Sequence, residues 1–154
     1  MISISITPDS LTKAFANLDA YSGLVKGRIK QEIVRTAYAI DSKAKSLVRV
    51  DKGRLKQSIH PEFTIGSLNV AIPPNGAVVG TNVIYASDIE FGTKAHTITP
   101  KNKSVLRWYK NGAFYFSKSV RHPGTKAYPF MNPAAESEMA RFIANIITIL
   151  GKTK

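Results

Sequence analysis

Residues 25–47 read VKGRIKQEIVRTAYAIDSKAKSL, and this stretch decides the fold. Val25, Ile29, Ile33, Ala37, Ile40, Ala44 and Leu47 step by three and four. At 100° per residue they draw one apolar stripe along a helix of about six turns. Arg28, Arg35, Lys45 and Arg49 fall on the opposite side. A basic stripe opposite a core stripe is most simply a solvated face, with a phosphate-binding face as the alternative.

Working outward, Ile2, Ile4 and Ile6 alternate with serine and threonine, the period of a short half-buried strand. Thr7-Pro8-Asp9 reads as a helix start, continued by Leu11, Phe15 and Leu18 until Tyr21-Ser22-Gly23. Downstream, Asp51-Lys52-Gly53-Arg54-Leu55 forms a turn or short helical turn entering a strand at Ser58-Ile59. Phe63-Thr64-Ile65, Leu68 to Ile72 and Ala77-Val78-Val79 are short strand candidates, broken by Gly66, Pro73-Pro74 and Asn75-Gly76. Tyr85 to Phe91 suits one or two helical turns closed by Gly92. Val105–Tyr109 and Ala113–Val120 flank Lys110-Asn111-Gly112, a hairpin signal because Asn-Gly accepts the positive φ of a type I′ turn. Asn132-Pro133 then caps a last helix carrying Met139, Phe142, Ile143, Ile146 and Leu150 at helical spacing. The expected architecture is α+β: a long amphipathic helix near the N-terminus and a C-terminal helix packed on an antiparallel sheet.

The chain has 154 residues, which suits one domain over 1–154, and 44% hydrophobic residues, which suits a globular core. It has no cysteine, so disulfides, thiolate metal sites and cysteine catalysis are excluded. No run approaches the ~20 apolar residues of a membrane span, and the first residues lack an export signal's basic and apolar regions. A soluble chain made in a cytoplasm is expected. Net charge is +12, which favours acidic partners, and it comes in blocks. Lys26–Lys56 holds ten basic residues, Gln57–Thr93 holds none but carries Glu62, Asp88 and Glu90, and Phe91–Ala135 holds eight with no acid. One expectation is that the acidic segment docks onto a neighbour's basic one.

Little in this pattern points to catalysis. His60, His96 and His122 are scattered, no phosphate loop or nucleophile elbow is present, and Asp88 and Glu90 lie two apart, pointing away from each other on a helix. No metal or cofactor is expected. A histidine-dependent ribonuclease would rest on those three histidines alone. The remaining constellation sets Lys101, Lys103, Arg107, Lys110 and Lys118 around Trp108, Tyr109, Phe114, Tyr115 and Phe116. Aromatics interleaved with cations stack bases while tracking phosphates in single-strand binders, or contact a protein partner. Strand period alone also produces this look, with alternate aromatics facing a core and lysines blunting an exposed edge.

Three blocks carry more specific information: Val50-Asp51-Lys52-Gly53-Arg54-Leu55-Lys56-Gln57-Ser58-Ile59 after the long helix, Val79-Gly80-Thr81-Asn82-Val83-Ile84-Tyr85-Ala86 with Ile89-Glu90-Phe91-Gly92-Thr93, and Ala127-Tyr128-Pro129-Phe130-Met131-Asn132-Pro133-Ala134 before the last. In order and spacing the chain resembles the neck and tail-completion proteins of long-tailed, lambdoid-type bacteriophages, the small head–tail joining family. It departs from them at Lys52, where a small hydroxyl residue is usual, and at Tyr85-Ala86-Ser87-Asp88, where Tyr-Ala-Pro-Tyr is usual. The hairpin, about 101–121, lies in a segment that varies in the family.

The resemblance implies a non-enzymatic virion structural protein, assembled in the host cytoplasm into a ring, hexamer or dodecamer, at the neck of the virion. Its partners would be the portal or head-side adaptor, the tail terminator or tail tube, and DNA in transit, with no membrane. A tail-terminator role in the same region, or a small basic nucleic-acid-binding protein, are the alternatives. The blocks also have physical readings. Asp51 can cap amides two or three residues on, Gly53 allows a tight exit, and Arg54 and Glu90 are candidates for a charge-assisted pair. Gly92 lets the chain reverse, Pro129 and Pro133 fix the approach to the last helix, and Phe130 and Met131 are candidate core anchors.

Overall fold

The computed structural model describes residues 2–5, 23–63 and 76–151. The expected helix from Thr7 through Leu18 and the strand from Leu68 to Ile72 lie outside them. Helix α1, Gly23–Leu47, buries Val25, Ile29, Ile33, Ala37, Ile40 and Ala44 on one face. The stripe ends differently from its expected course: Val48 is buried and Leu47 exposed, because one more step of four from Ala44 reaches Val48. The same face also encloses Thr36 and Asp41, and Lys45 lies 2.8 Å from the Asp41 carboxylate one turn on. Lys45 is therefore a partner of the buried face, while Arg28, Arg35 and Arg49 are exposed.

A short helix α2, Arg54–Ser58, leads into β2, His60–Glu62. The strand begins after Ile59, because Ser58 is still helical. Strands β1 (Ile2–Ser5), β2 and β3 (Val78–Thr81) form an antiparallel sheet in the order β1-β3-β2, with Ile4 opposite Val79 and Pro61 opposite Val79 on the other side. The central strand is buried along its whole length, which is why it reads Val-Val-Gly-Thr without alternation. Pro61 is tolerated because β2 is an edge strand among the described residues.

Helix α3, Ala86–Phe91, precedes two ribbons: β4 (His96–Ile98) with β7 (Val120–His122), and β5 (Leu106–Lys110) with β6 (Ala113–Ser117). The final helix α4, Met131–Gly151, packs along α1. Phe130, Phe142, Ile40, Ile59, Met131 and Ile146 are among the largest fully buried side chains, each contributing about 1.5–3 kcal/mol by burial. The structure is thus mixed helix and antiparallel sheet, with the strands divided among one three-stranded sheet and two separate ribbons.

Candidate functional site

The three sequence blocks converge. Thr81, wholly buried in β3, and Ser58, at the end of α2, place their hydroxyl oxygens 2.6 Å apart. Ser58 donates to the Leu55 carbonyl, so the Thr81 hydroxyl donates to Ser58 while accepting from the Val83 amide at 3.2 Å. That chain of bonds ties the first block to the second. The second meets the third through Glu90, 2% exposed, whose carboxylate accepts from the amides of Phe130, Met131 and Asn132 at 2.8, 2.9 and 2.9 Å. These are the orphan donors that open α4, and a buried carboxylate there satisfies them and complements the helix dipole. Tyr128 also donates its amide to the Ile89 carbonyl at 2.8 Å, and the Arg49 guanidinium lies 3.5 Å from the centre of the Tyr128 ring.

This geometry corrects three expectations. Glu90 does not pair with Arg54: its oxygens are committed to the α4 amides, and Arg54 is exposed beside Tyr85. Asn132 is not the cap of α4, because the helix already begins at Met131 and Glu90, distant in sequence, does the capping. Asp51 makes no capping bond to α2, whose N-cap is Gly53 at φ +78° with no side-chain cap. Gly53 is needed for that left-handed turn. Gly92, at φ +71°, closes α3 where any Cβ would stand 2.5 Å from the Thr125 carbonyl oxygen. Pro133 sits in the first turn of α4, where its missing amide costs nothing, and Pro129 is exposed just before it. Phe130 and Met131 are core anchors.

Around this joint several apolar side chains face outward: Val50, Ile84, Tyr85, Phe91 and Tyr128, with Ile84 89% exposed. Beside them an open cleft of about 320 Å³ is lined by Arg49, Asp51, Lys52, Arg54, Lys56 and Tyr85. Its lining is charged and its volume is at the small end for a ligand pocket, so it fits contact with a surface better than enclosure of a small molecule.

The second feature projects from the joint. Thr93 and Thr125 exchange backbone bonds at 3.0 and 3.1 Å, and the ladder continues through His96↔His122 and Ile98↔Val120. Residues 99–105 then face only 118–119, and pairing resumes at Leu106↔Ser117 up to a turn at Asn111 and Gly112, φ +50° and +81°. Those two positive φ values are the type I′ turn that Asn-Gly predicts. No residue from Phe91 through Pro129 is buried. Neither face of the ribbon therefore meets the core, contrary to the reading that alternate aromatics are internal. On one face Trp108 stacks on its partner Tyr115, centroids 5.8 Å apart and planes within 17°. On the other lie Tyr109, Phe114 and Phe116, with the Arg107 guanidinium 4.4 Å from the Phe114 centroid. Lys101 and Lys103 stand in the 99–105 segment, Lys118 faces it, and Lys110 is at the tip; all four are exposed.

The histidines do not gather into one site. His60 Nε2 lies 3.1 Å from Glu62 in β2, while His96 and His122 are cross-strand partners with rings 5.1 Å apart, a juxtaposition that their sequence spacing hides. Among the described residues no three His, Asp or Glu side chains form a set that could hold a metal ion. Nor, among them, is any helix long and apolar enough to cross a membrane. The expected acidic docking segment is also absent as a surface: Glu62 and Glu90 are buried, leaving Asp88 exposed. Comparison of the chain with protein-family models, with curated proteins and with solved structures finds no match.

Proposed function

We propose that the chain is a non-enzymatic structural subunit of a ring at the head–tail joint of a long-tailed bacteriophage, an α+β connector whose two long helices pack on its antiparallel sheet. The observation that carries this reading is the convergence of the three blocks. Stretches far apart in sequence, the ones on which the resemblance to neck and tail-completion proteins rests, are tied into one joint by Ser58–Thr81, Glu90–α4 and Arg49–Tyr128. Their polar groups serve the backbone and one another, as a scaffold requires.

The outward-facing apolar residues of that joint support assembly. Exposed apolar side chains, with Tyr85 sharing a cleft with Arg49, Lys52 and Arg54, suit contact with a second subunit or a neighbouring virion component. Head-to-tail contacts between identical subunits close into rings when the rotation permits, which is the symmetry a DNA channel needs. Docking through the acidic segment does not form part of this proposal, because its carboxylates are largely interior. A tail-terminator position in the same joint would use the same surfaces. Electron microscopy of the purified chain, alone and mixed with the head-side and tail-side components of its virion, tests the proposal. Annular particles with a central channel are expected, and a field of free monomers in every mixture would overturn it.

A further inference from the structure

We infer that the arm from Thr93 to Thr125 is a nucleic-acid-binding arm, holding phosphates on its lysines and arginines and packing bases or groove walls against its exposed aromatics. The inference stands on the arm alone and does not require the ring.

Two observations make the arm a binding element. A two-stranded ribbon is marginal in water unless something covers it, yet no residue of this one is buried, and Tyr109, Phe114 and Phe116 are each more than half exposed. The stretch from Phe91 to Ala135 also carries eight basic residues and no acid. Among the described residues a second copy of the chain offers no acidic cluster to match it. Of the carboxylates among the described residues, only Asp51, Asp88 and Glu136 are exposed, and they lie on different elements. Glu90 and Glu62 are interior, Asp41 is engaged by Lys45, and Glu138 by Arg141. The rest of the chain is itself net positive, so an arm laid on a neighbour would meet like charge. Charge complementarity therefore points to a polyanion outside this chain.

The layout fits a phosphodiester strand. Lys101, Lys103 and Lys118 sit at the near end of the β5–β6 ribbon and Lys110 at its tip. Four residue steps of strand separate the two ends by about 14 Å. Along a duplex axis the phosphates of each strand recur about every 3.4 Å, so the ribbon laid along that axis spans roughly four of them on one strand. Between the cations lie the flat Trp108–Tyr115 pair on one face and the Arg107–Phe114 pair on the other. Stacked rings accept bases of a single strand, while a two-stranded ribbon also fits the major groove of a duplex. The shared chemistry is the phosphate backbone, and the two forms are separated by experiment.

The experiment titrates the full chain into labelled mixed-sequence DNA, single-stranded and duplex, by fluorescence anisotropy across a salt series. With about four phosphates engaged, affinity falls about 10²-fold between roughly 50 and 200 mM salt. The triple variant Lys101→Gln, Lys103→Gln, Lys118→Gln lowers the log–log salt slope by about two to three. Removing equal charge from α1, with Arg28→Gln, Lys30→Gln and Lys43→Gln, changes it by less than about one. Trp108 is the sole tryptophan, so its emission reports the arm directly. Quenching by the single strand, with a loss of about 5- to 150-fold in Trp108→Ala, identifies base stacking. Tight duplex binding indifferent to Trp108→Ala identifies groove or backbone tracking, and also supports the arm. Absence of salt-sensitive binding to either probe overturns the inference. So do equal slope changes from the two triple variants, or an arm triple variant that changes the protein's oligomeric mass and leaves DNA affinity untouched. The first two failures leave the ring reading untouched, whereas the third would place the arm in the contacts between subunits.

Discussion

Glu90→Ala removes a side chain that is 2% exposed and accepts three backbone hydrogen bonds at the start of α4. Phe130 and Met131 are fully buried, so two of the three freed amides lose their partner out of reach of water, at about 1–3 kcal/mol each. Asn132 is exposed and its amide can be hydrated, which keeps the total below the sum of three. Loss of the cap's charge at the helix N-terminus adds up to about 1 kcal/mol. The expected destabilisation is about 3–5 kcal/mol, large against a total stability of about 5–15 kcal/mol. Urea unfolding followed by circular dichroism reads it as a lower midpoint at unchanged slope. At about 2–4 °C per kcal/mol the melting temperature falls by roughly 10 °C. Glu90→Gln retains one acceptor oxygen where the carboxylate serves Phe130 and Met131, and costs about 1–2 kcal/mol. Stability of Glu90→Ala within about 0.5 kcal/mol of the parent would refute the reasoning, since that is what a surface substitution does.

Other outcomes follow from the same geometry. Gly92→Ala combines a positive φ with a Cβ 2.5 Å from the Thr125 carbonyl oxygen and 2.8 Å from the Ala127 amide, so it loses about 2 kcal/mol or more in the same urea assay. Phe142→Ala, emptying a wholly buried site on α4 in the hydrophobic core, costs about 3–5 kcal/mol in thermal melts. Ile84→Lys, at 89% exposure, leaves the urea midpoint within about 0.5 kcal/mol of the parent yet weakens self-association in sedimentation velocity if the joint is an interface.

The local arrangement was legible in the sequence wherever period carried it. The α1 stripe, the α4 stripe and the Asn111-Gly112 turn follow from local spacing and turn chemistry, and the structure places them accordingly. What spacing cannot carry is a partner supplied from far along the chain. Glu90 caps a helix some forty positions away, so the local rule chose Asn132, and the opposite charges of Arg54 and Glu90 suggested a pair that the α4 amides pre-empt. Burial also escaped the charge count: Glu62 and Glu90 read as an acidic segment, but both turn inward. For the arm, an alternating aromatic strand has the same pattern whether one face is covered or neither is. The run from Phe91 to Ala135, with eight cations and no acid, marks the sign of the segment's charge and not its burial, so it does not separate the cases.

The central claim, that this chain is an assembly subunit built around the joint of its three blocks, is tested most directly by native mass spectrometry. The mass is measured alone, with the head-side component of the proposed virion, and with its tail-side component. The account predicts a discrete multiple of 16.9 kDa in at least one of these conditions, lost in Ile84→Lys while the fold is kept. A single subunit mass in all three would contradict it.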